Sequence, residues 1–118
     1  ARDAAADGAD LVVAVGGDGT VLDTAEGLIK TEAALGVIPG GTANVFAAEM
    51  EIPTDTAAAL DLLLGDEVEV RKVDVGVVGD EHFLLRVGIG LEAAMTVLTE
   101  PELKSKFGVF AYLWTALH

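Results

Sequence analysis

Two glycine-rich segments hold the residues of this chain best suited to chemistry: Gly16-Gly17-Asp18-Gly19-Thr20 and Pro39-Gly40-Gly41-Thr42-Ala43-Asn44. Each closes a short apolar run and opens a helical pattern. Glycines at such a junction let backbone N–H groups converge on an anion with no Cβ in the way. Two of these cradles, one strand–helix unit apart, could hold one nucleotide from two sides. A carboxylate at Asp18 would repel phosphates unless a divalent cation lay between them, or unless it bound a sugar hydroxyl. Mg²⁺ shared between oxygen ligands and phosphates is the usual arrangement. The other reading of Asp18 is a cap on a tight strand–helix turn. Thr20 can donate to a phosphate or cap its own helix. Thr42 suits a phosphate or a plain N-cap. Asn44 suits a phosphate, a substrate hydroxyl, a metal-bound water or an exposed surface. The first segment is neither a Walker A sequence nor a Gly-x-Gly-x-x-Gly fingerprint.

The elements that must position these residues follow from periodicity. Residues 1–9 read as the end of a helix. Leu11 to Val15 is a continuous apolar run between Asp10 and Gly16, as expected of a buried parallel strand. Val21, Leu22, Ala25, Leu28 and Ile29 recur at helical spacing. Leu35 to Ile38 is a second strand, closed by Pro39. Ala43 to Met50 predicts a short helix with Phe46, Ala47 and Met50 inward. Thr54 or Asp55 can cap a further helix carrying Leu60, Leu63 and Leu64, with Gly65 at its end. The order α-β-α-β-α-α argues for helices packed on a parallel sheet.

The pattern changes near Glu67. The valines from Val68 to Val78, a turn at Gly79-Asp80 and the stretch from Phe83 to Ile89 predict an antiparallel hairpin. A domain boundary is expected at residues 65–67, giving regions 1–66 and 67–118. From Leu91 the chain reads as two helical pieces broken around Pro101. Leu103, Phe107, Phe110, Ala111, Trp114 and Leu117 form an apolar stripe. That stripe suits core packing, with lipid contact or self-association as the other outcomes. His82, His118 and the charged face of Glu100, Glu102, Lys104 and Lys106 read as structural or solvated, and Asp74 as a turn residue or a functional one.

Composition narrows the classes. The 118 residues are 52% apolar with six aromatics, so the core is built from Ala, Val, Leu and Ile. With 20 acidic and 7 basic residues, the net charge of −13 argues against nucleic-acid binding and against docking on an anionic membrane. The absence of cysteine excludes disulfides and thiolate metal sites and fits a cytoplasmic location. No signal peptide or membrane-spanning run is read. The chain starts Ala1-Arg2-Asp3 inside a helical pattern, as a piece of a longer protein would.

The whole chain resembles part of the diacylglycerol kinase catalytic-domain family, which includes bacterial lipid kinases, ceramide kinases and sphingosine kinases. The resemblance rests on Gly16 to Thr20 and on Ile38 through Ala47. It extends to Val73-Asp74-Val75-Gly76, Gly88-Ile89-Gly90-Leu91-Glu92-Ala93 and Lys106 through Leu113. It implies an α/β fold in two parts. Residues 1–66 would be the C-terminal part of a nucleotide-binding domain like that of NAD kinases and phosphofructokinases. Residues 67–118 would begin a β-sandwich lipid-binding domain. It also implies transfer of the ATP γ-phosphoryl group, with Mg²⁺, to a lipid hydroxyl such as that of diacylglycerol, within phospholipid metabolism. By that likeness Gly16, Gly17, Gly19 and Thr20 line the phosphates, and Asp18 stands at the active centre as catalytic residue and metal ligand. Gly41, Thr42 and Asn44 would hold the nucleotide. The lipid would enter between the domains, with peripheral contact to the inner membrane face and homo-oligomerisation as further expectations for the parent protein.

The chain also departs from the family pattern. Leu22 and Asp23 stand where Asn-Glu is common, Val45 where Asp or Asn often follows, and Glu92 where Asp is frequent. These departures bear on the lipid more than on the reaction. The family's first strand would lie upstream and its acidic base and metal ligands downstream, so the isolated piece is expected to be inactive. The other readings are an NAD-kinase-like enzyme and a non-catalytic nucleotide-binding regulatory domain. Pro39 to Asn44 speaks against the former, and an intact Asp18 against the latter.

Overall fold

Six elements alternate in the order expected, and a hairpin follows them. The computed structural model describes residues 1–66 and 68–87. The expectations for Glu67, for residues 88–93, for the helices from Leu91 with their apolar stripe, and for His118 lie outside the described residues. The chain divides into two units, Ala1–Leu84 and Leu85–His118, and the first contains every element below. They are α1 (Arg2–Ala6), β1 (Leu11–Gly16), α2 (Asp18–Leu28), β2 (Ala34–Pro39), α3 (Val45–Glu49), α4 (Thr56–Leu64), β3 (Gly76–Val78) and β4 (Glu81–Phe83).

β1 and β2 pair in parallel, with Leu11 opposite Ala34 and Gly16 opposite Pro39. Both strands therefore end at the same edge, and both glycine segments leave from it. Because side chains alternate along a strand, Ala14 and Val37 share one face of the sheet. They meet Val21 of α2 and Phe46 and Ala47 of α3 in the buried centre. Leu35, Met50, Ile52 and Leu84 pack against that cluster. α2 places Val21, Ala25 and Leu28 inward, as its periodicity predicts.

The other face is less covered than the apolar run of β1 suggests. Leu11, Val13 and Val15 are 40%, 40% and 65% exposed, and within β1 only Ala14 is buried. A continuous apolar run reads as a strand covered on both faces. Here α4 packs on β2, and among the described residues no element fully covers β1 on that side. α4 follows the same rule. Ala59 is buried, while Leu60, Leu62 and Leu64 are exposed.

Asp55 caps α4 by accepting a hydrogen bond from the Ala58 N–H at 2.9 Å. Gly65 does end the helix, but in an extended conformation (φ −72°, ψ 157°), not the left-handed one common there. The valine-rich stretch is strand only at β3, residues 68–75 are irregular, and the second strand, β4, lies just before the expected stretch from Phe83, overlapping it at that residue alone among the described residues. β3 and β4 pair antiparallel, with Val78 opposite Glu81 across the two-residue turn Gly79-Asp80. Gly79 takes φ +62°, which tight hairpin turns favour and glycine supplies without strain. His82 of β4 reaches Glu26 of α2, Nδ1 to Oε1, at 3.2 Å, so it is structural and half-buried.

Candidate nucleotide site at the strand ends

Every site residue expected from the sequence lies at the carboxyl edge of β1 and β2. Gly16 ends β1, Gly17 is the N-cap of α2, and Asp18, Gly19 and Thr20 form its first turn. Gly41, Thr42 and Asn44 lie between β2 and α3. The two loops touch backbone to backbone. The Gly40 N–H donates to the Gly16 carbonyl at 2.8 Å, extending the parallel ladder one step beyond the strands. A Cβ on Gly41 would stand 2.5 Å from the Gly17 Cα, and one on Gly17 would stand 3.2 Å from the Gly41 Cα. These two glycines leave room for each other first, and for a ligand second.

The second loop differs from its sequence reading. Gly40 and Gly41 were expected to offer their N–H groups to a ligand. Both are used internally, the Gly41 N–H by the Asn44 side-chain oxygen at 2.8 Å. The Asn44 amide nitrogen donates back to the Gly41 carbonyl at 2.9 Å, closing a small ring. Asn44 adopts a left-handed backbone conformation (φ 47°, ψ 46°), one that asparagine tolerates better than most residues. That turn directs the chain into α3. Thr42 is exposed.

With its amide committed to Gly41, Asn44 does not cap α3. Asp18 does so from 27 residues away. Its Oδ2 accepts from the Val45 N–H at 3.1 Å and its Oδ1 from the Phe46 N–H at 2.9 Å. The carboxylate thus spans the loops, satisfying two of the N–H groups that a helix start leaves open. Capping was one of the two readings of Asp18; the helix it caps is not its own. Sequence reasoning had no signal for this, because a side chain's reach across 27 residues is not a local property.

The first loop is arranged the other way. No side chain caps α2. Among the described residues no acceptor is seated on the N–H groups of Asp18, Gly19 or Thr20. Gly19 faces open space, since a Cβ there would meet nothing within 4 Å. Thr20 is exposed, and its side chain occupies the space over Gly16, where a Cβ would stand 2.6 Å from the hydroxyl oxygen. An uncapped start to an 11-residue helix is electropositive and rich in donors, which suits an anion. Lys30 is the sole basic residue between Arg2 and Arg71, so neither loop carries a cationic side chain. Phosphates bound here would rely on backbone N–H groups and on a metal ion.

The chain belongs to the diacylglycerol kinase catalytic-domain family. The family model, described as the diacylglycerol kinase catalytic domain, matches residues 1–78, which contain both glycine loops. Curated relatives extend the likeness along the chain. A protein of Pseudomonas putida named "Probable lipid kinase YegS-like" is 43% identical over 117 residues, covering 98% of this chain and 39% of that protein. Proteins with the same name from Pseudomonas fluorescens and Chromohalobacter salexigens are 42% and 40% identical. They cover 98% and 95% of this chain, and 38% and 37% of their own length. The chain therefore spans about two fifths of the relatives it matches. No solved structure matches it.

The fit to the family's cofactors divides. The open first turn of α2 and the glycine contact fit the phosphates of a nucleotide. Among the described residues no group of three or more His, Asp or Glu side chains is placed to hold a metal. A separate groove of about 420 Å³ runs along β2 between Leu11, Gly36, Phe46, Met50, Leu63 and Val70. No helix among the described residues is long and apolar enough to cross a membrane.

Proposed function

We propose that the full-length protein is a Mg·ATP-dependent lipid kinase and that this chain carries its phosphate cradle. One observation supports the reading above the others. Two glycine loops meet at the carboxyl edge of a parallel strand pair, beside a helix start with unoccupied N–H groups. Such crevices at the ends of parallel strands are where α/β sheets bind ligands. The names of the relatives point the same way.

In this reading the N–H groups of Asp18, Gly19 and Thr20 bind phosphate oxygens, and the Thr20 hydroxyl adds a donor. Gly17 and Gly41 keep the two loops in contact, and Thr42 and Asn44 shape the far wall. Mg²⁺, when bound, neutralises phosphate charge that the acidic chain does not. Phosphoryl transfer needs chiefly alignment of donor and acceptor and stabilisation of charge. The backbone donors here supply alignment of the donor phosphates. The acceptor is a lipid hydroxyl, with diacylglycerol as the first candidate, entering beside a second, β-rich domain that begins near residue 67.

The test uses the full-length protein with Mg²⁺, γ-labelled ATP, a total lipid extract and NAD. Label on a lipid is the expected outcome, and chromatography of the product names the acceptor. The Gly41→Ala variant, whose Cβ would force the loops apart, loses most of that labelling. Label on NAD instead overturns the proposal in favour of an NAD kinase. ATP binding with no labelled product overturns it in favour of a regulatory domain.

A further inference from the structure

We infer that Asp18 is a positioning residue, which acts on the nucleotide through the second glycine loop. The inference rests on the lipid-kinase reading above and revises the role expected of this one side chain. Both carboxylate oxygens are already engaged, by the N–H groups of Val45 and Phe46 at 3.1 and 2.9 Å. Hydrogen bonds to an ionised acceptor are stronger than neutral ones, so the two bonds hold the carboxylate firmly against the start of α3. α3 has no other cap, because Asn44 spends its amide on Gly41. Phe46, the next residue but one, is buried among Ala14, Val21 and Val37. Asp18 therefore fixes the start of α3 to the start of α2 while Phe46 fixes α3 to the sheet.

The turn that sets Gly41 against Gly17 leads directly into those attachments. With no space for a Cβ between them, small rotations of α3 would change the width of the cradle directly. A carboxylate is needed for this, and an amide does not replace it. Asparagine offers one acceptor oxygen, and its NH₂ group would face the second N–H donor.

Two measurements on the full-length protein test the assignment. The first is amide hydrogen exchange at Val45 and Phe46. In Asp18→Asn, without substrate, exchange there should accelerate about tenfold, as befits loss of a charge-assisted bond. In the wild type, protection at these amides should persist when Mg²⁺ and adenylyl imidodiphosphate are added to saturation. Unchanged exchange in the variant, or loss of protection on adding Mg²⁺ and the analogue, overturns the inference. The wild-type arm decides the matter even if the variant does not fold.

The second measurement is steady-state kinetics of Asp18→Asn. A positioning role raises the KM for ATP by more than it lowers kcat, and leaves the half-activating Mg²⁺ concentration within about fivefold of wild type. A fall in kcat larger than the rise in KM, or a larger shift in Mg²⁺ activation, overturns it. A wild-type protein that transfers no phosphoryl group fails the lipid-kinase reading instead, because the exchange experiment on apo protein is independent of turnover.

Discussion

The two glycine loops look alike in sequence and are built for different work. The loop at Gly16 to Thr20 leaves the first turn of an 11-residue helix uncapped and its N–H groups open. The loop at Pro39 to Asn44 consumes its own donors. The N–H groups of Gly40 and Gly41 bond to Gly16 and Asn44, and those of Val45 and Phe46 bond to Asp18. In the proposed reading the first loop is the binding surface, and the second is the brace that sets its shape. A glycine motif therefore does not by itself mark a ligand. It marks a place where a Cβ would be in the way, and at Gly17 and Gly41 what it would obstruct is the other loop.

Substitutions at four positions would break or sharpen that contrast. The largest effect on stability is expected from Phe46→Ala, which removes the side chain anchoring the brace. It is 6% exposed, and emptying such a site costs about 3–5 kcal/mol, read as a lowered urea midpoint. Gly41→Ala comes next. Its Cβ would stand 2.5 Å from the Gly17 Cα, and the backbone shift needed costs about 1–3 kcal/mol. ATP affinity measured by calorimetry should fall with it. If affinity holds, the contact between the loops is not what shapes the site.

Asn44→Ala removes the two bonds to Gly41 from a residue at φ 47°, at an expected cost of about 1–2 kcal/mol. Asn44→Gly separates the causes, because glycine relieves the left-handed backbone but restores neither bond. A thermal melt of both variants apportions the loss. Gly19→Ala is the smallest. A Cβ there meets nothing in the protein, and alanine favours a helix more than glycine, so stability should hold or rise by up to about 1 kcal/mol. The same variant should nonetheless weaken ATP binding if phosphates approach this residue closely. Unaltered affinity would move the phosphates away from the α2 start.

Much of the fold was legible in the residues. The order α-β-α-β-α-α, the inward faces of α2 and α3, the Asp55 cap and the hairpin turn at Gly79-Asp80 all follow from periods and turn chemistry that operate over a few residues. The exposure of β1 was not legible. Leu11, Val13 and Val15 have the composition of a buried strand, but burial depends on which elements lie over the sheet. Likewise the valines at 68–75 have strand propensity but make no ladder, since strand formation needs a partner as well as suitable side chains.

For the candidate site, the sequence by itself determined which residues stand at the strand ends. Glycines, a carboxylate and an asparagine at the ends of two strand patterns mark both loops, and parallel pairing of consecutive strands brings their ends to one edge. Tertiary structure alone decided what each residue is bonded to. Whether an N–H is free for a ligand or already bonded, and whether Asp18 faces a metal or Val45 and Phe46, depends on distances between segments 20 to 30 positions apart. Those distances are set by how α3 packs on the sheet through Phe46, a contact that no local pattern of residues encodes.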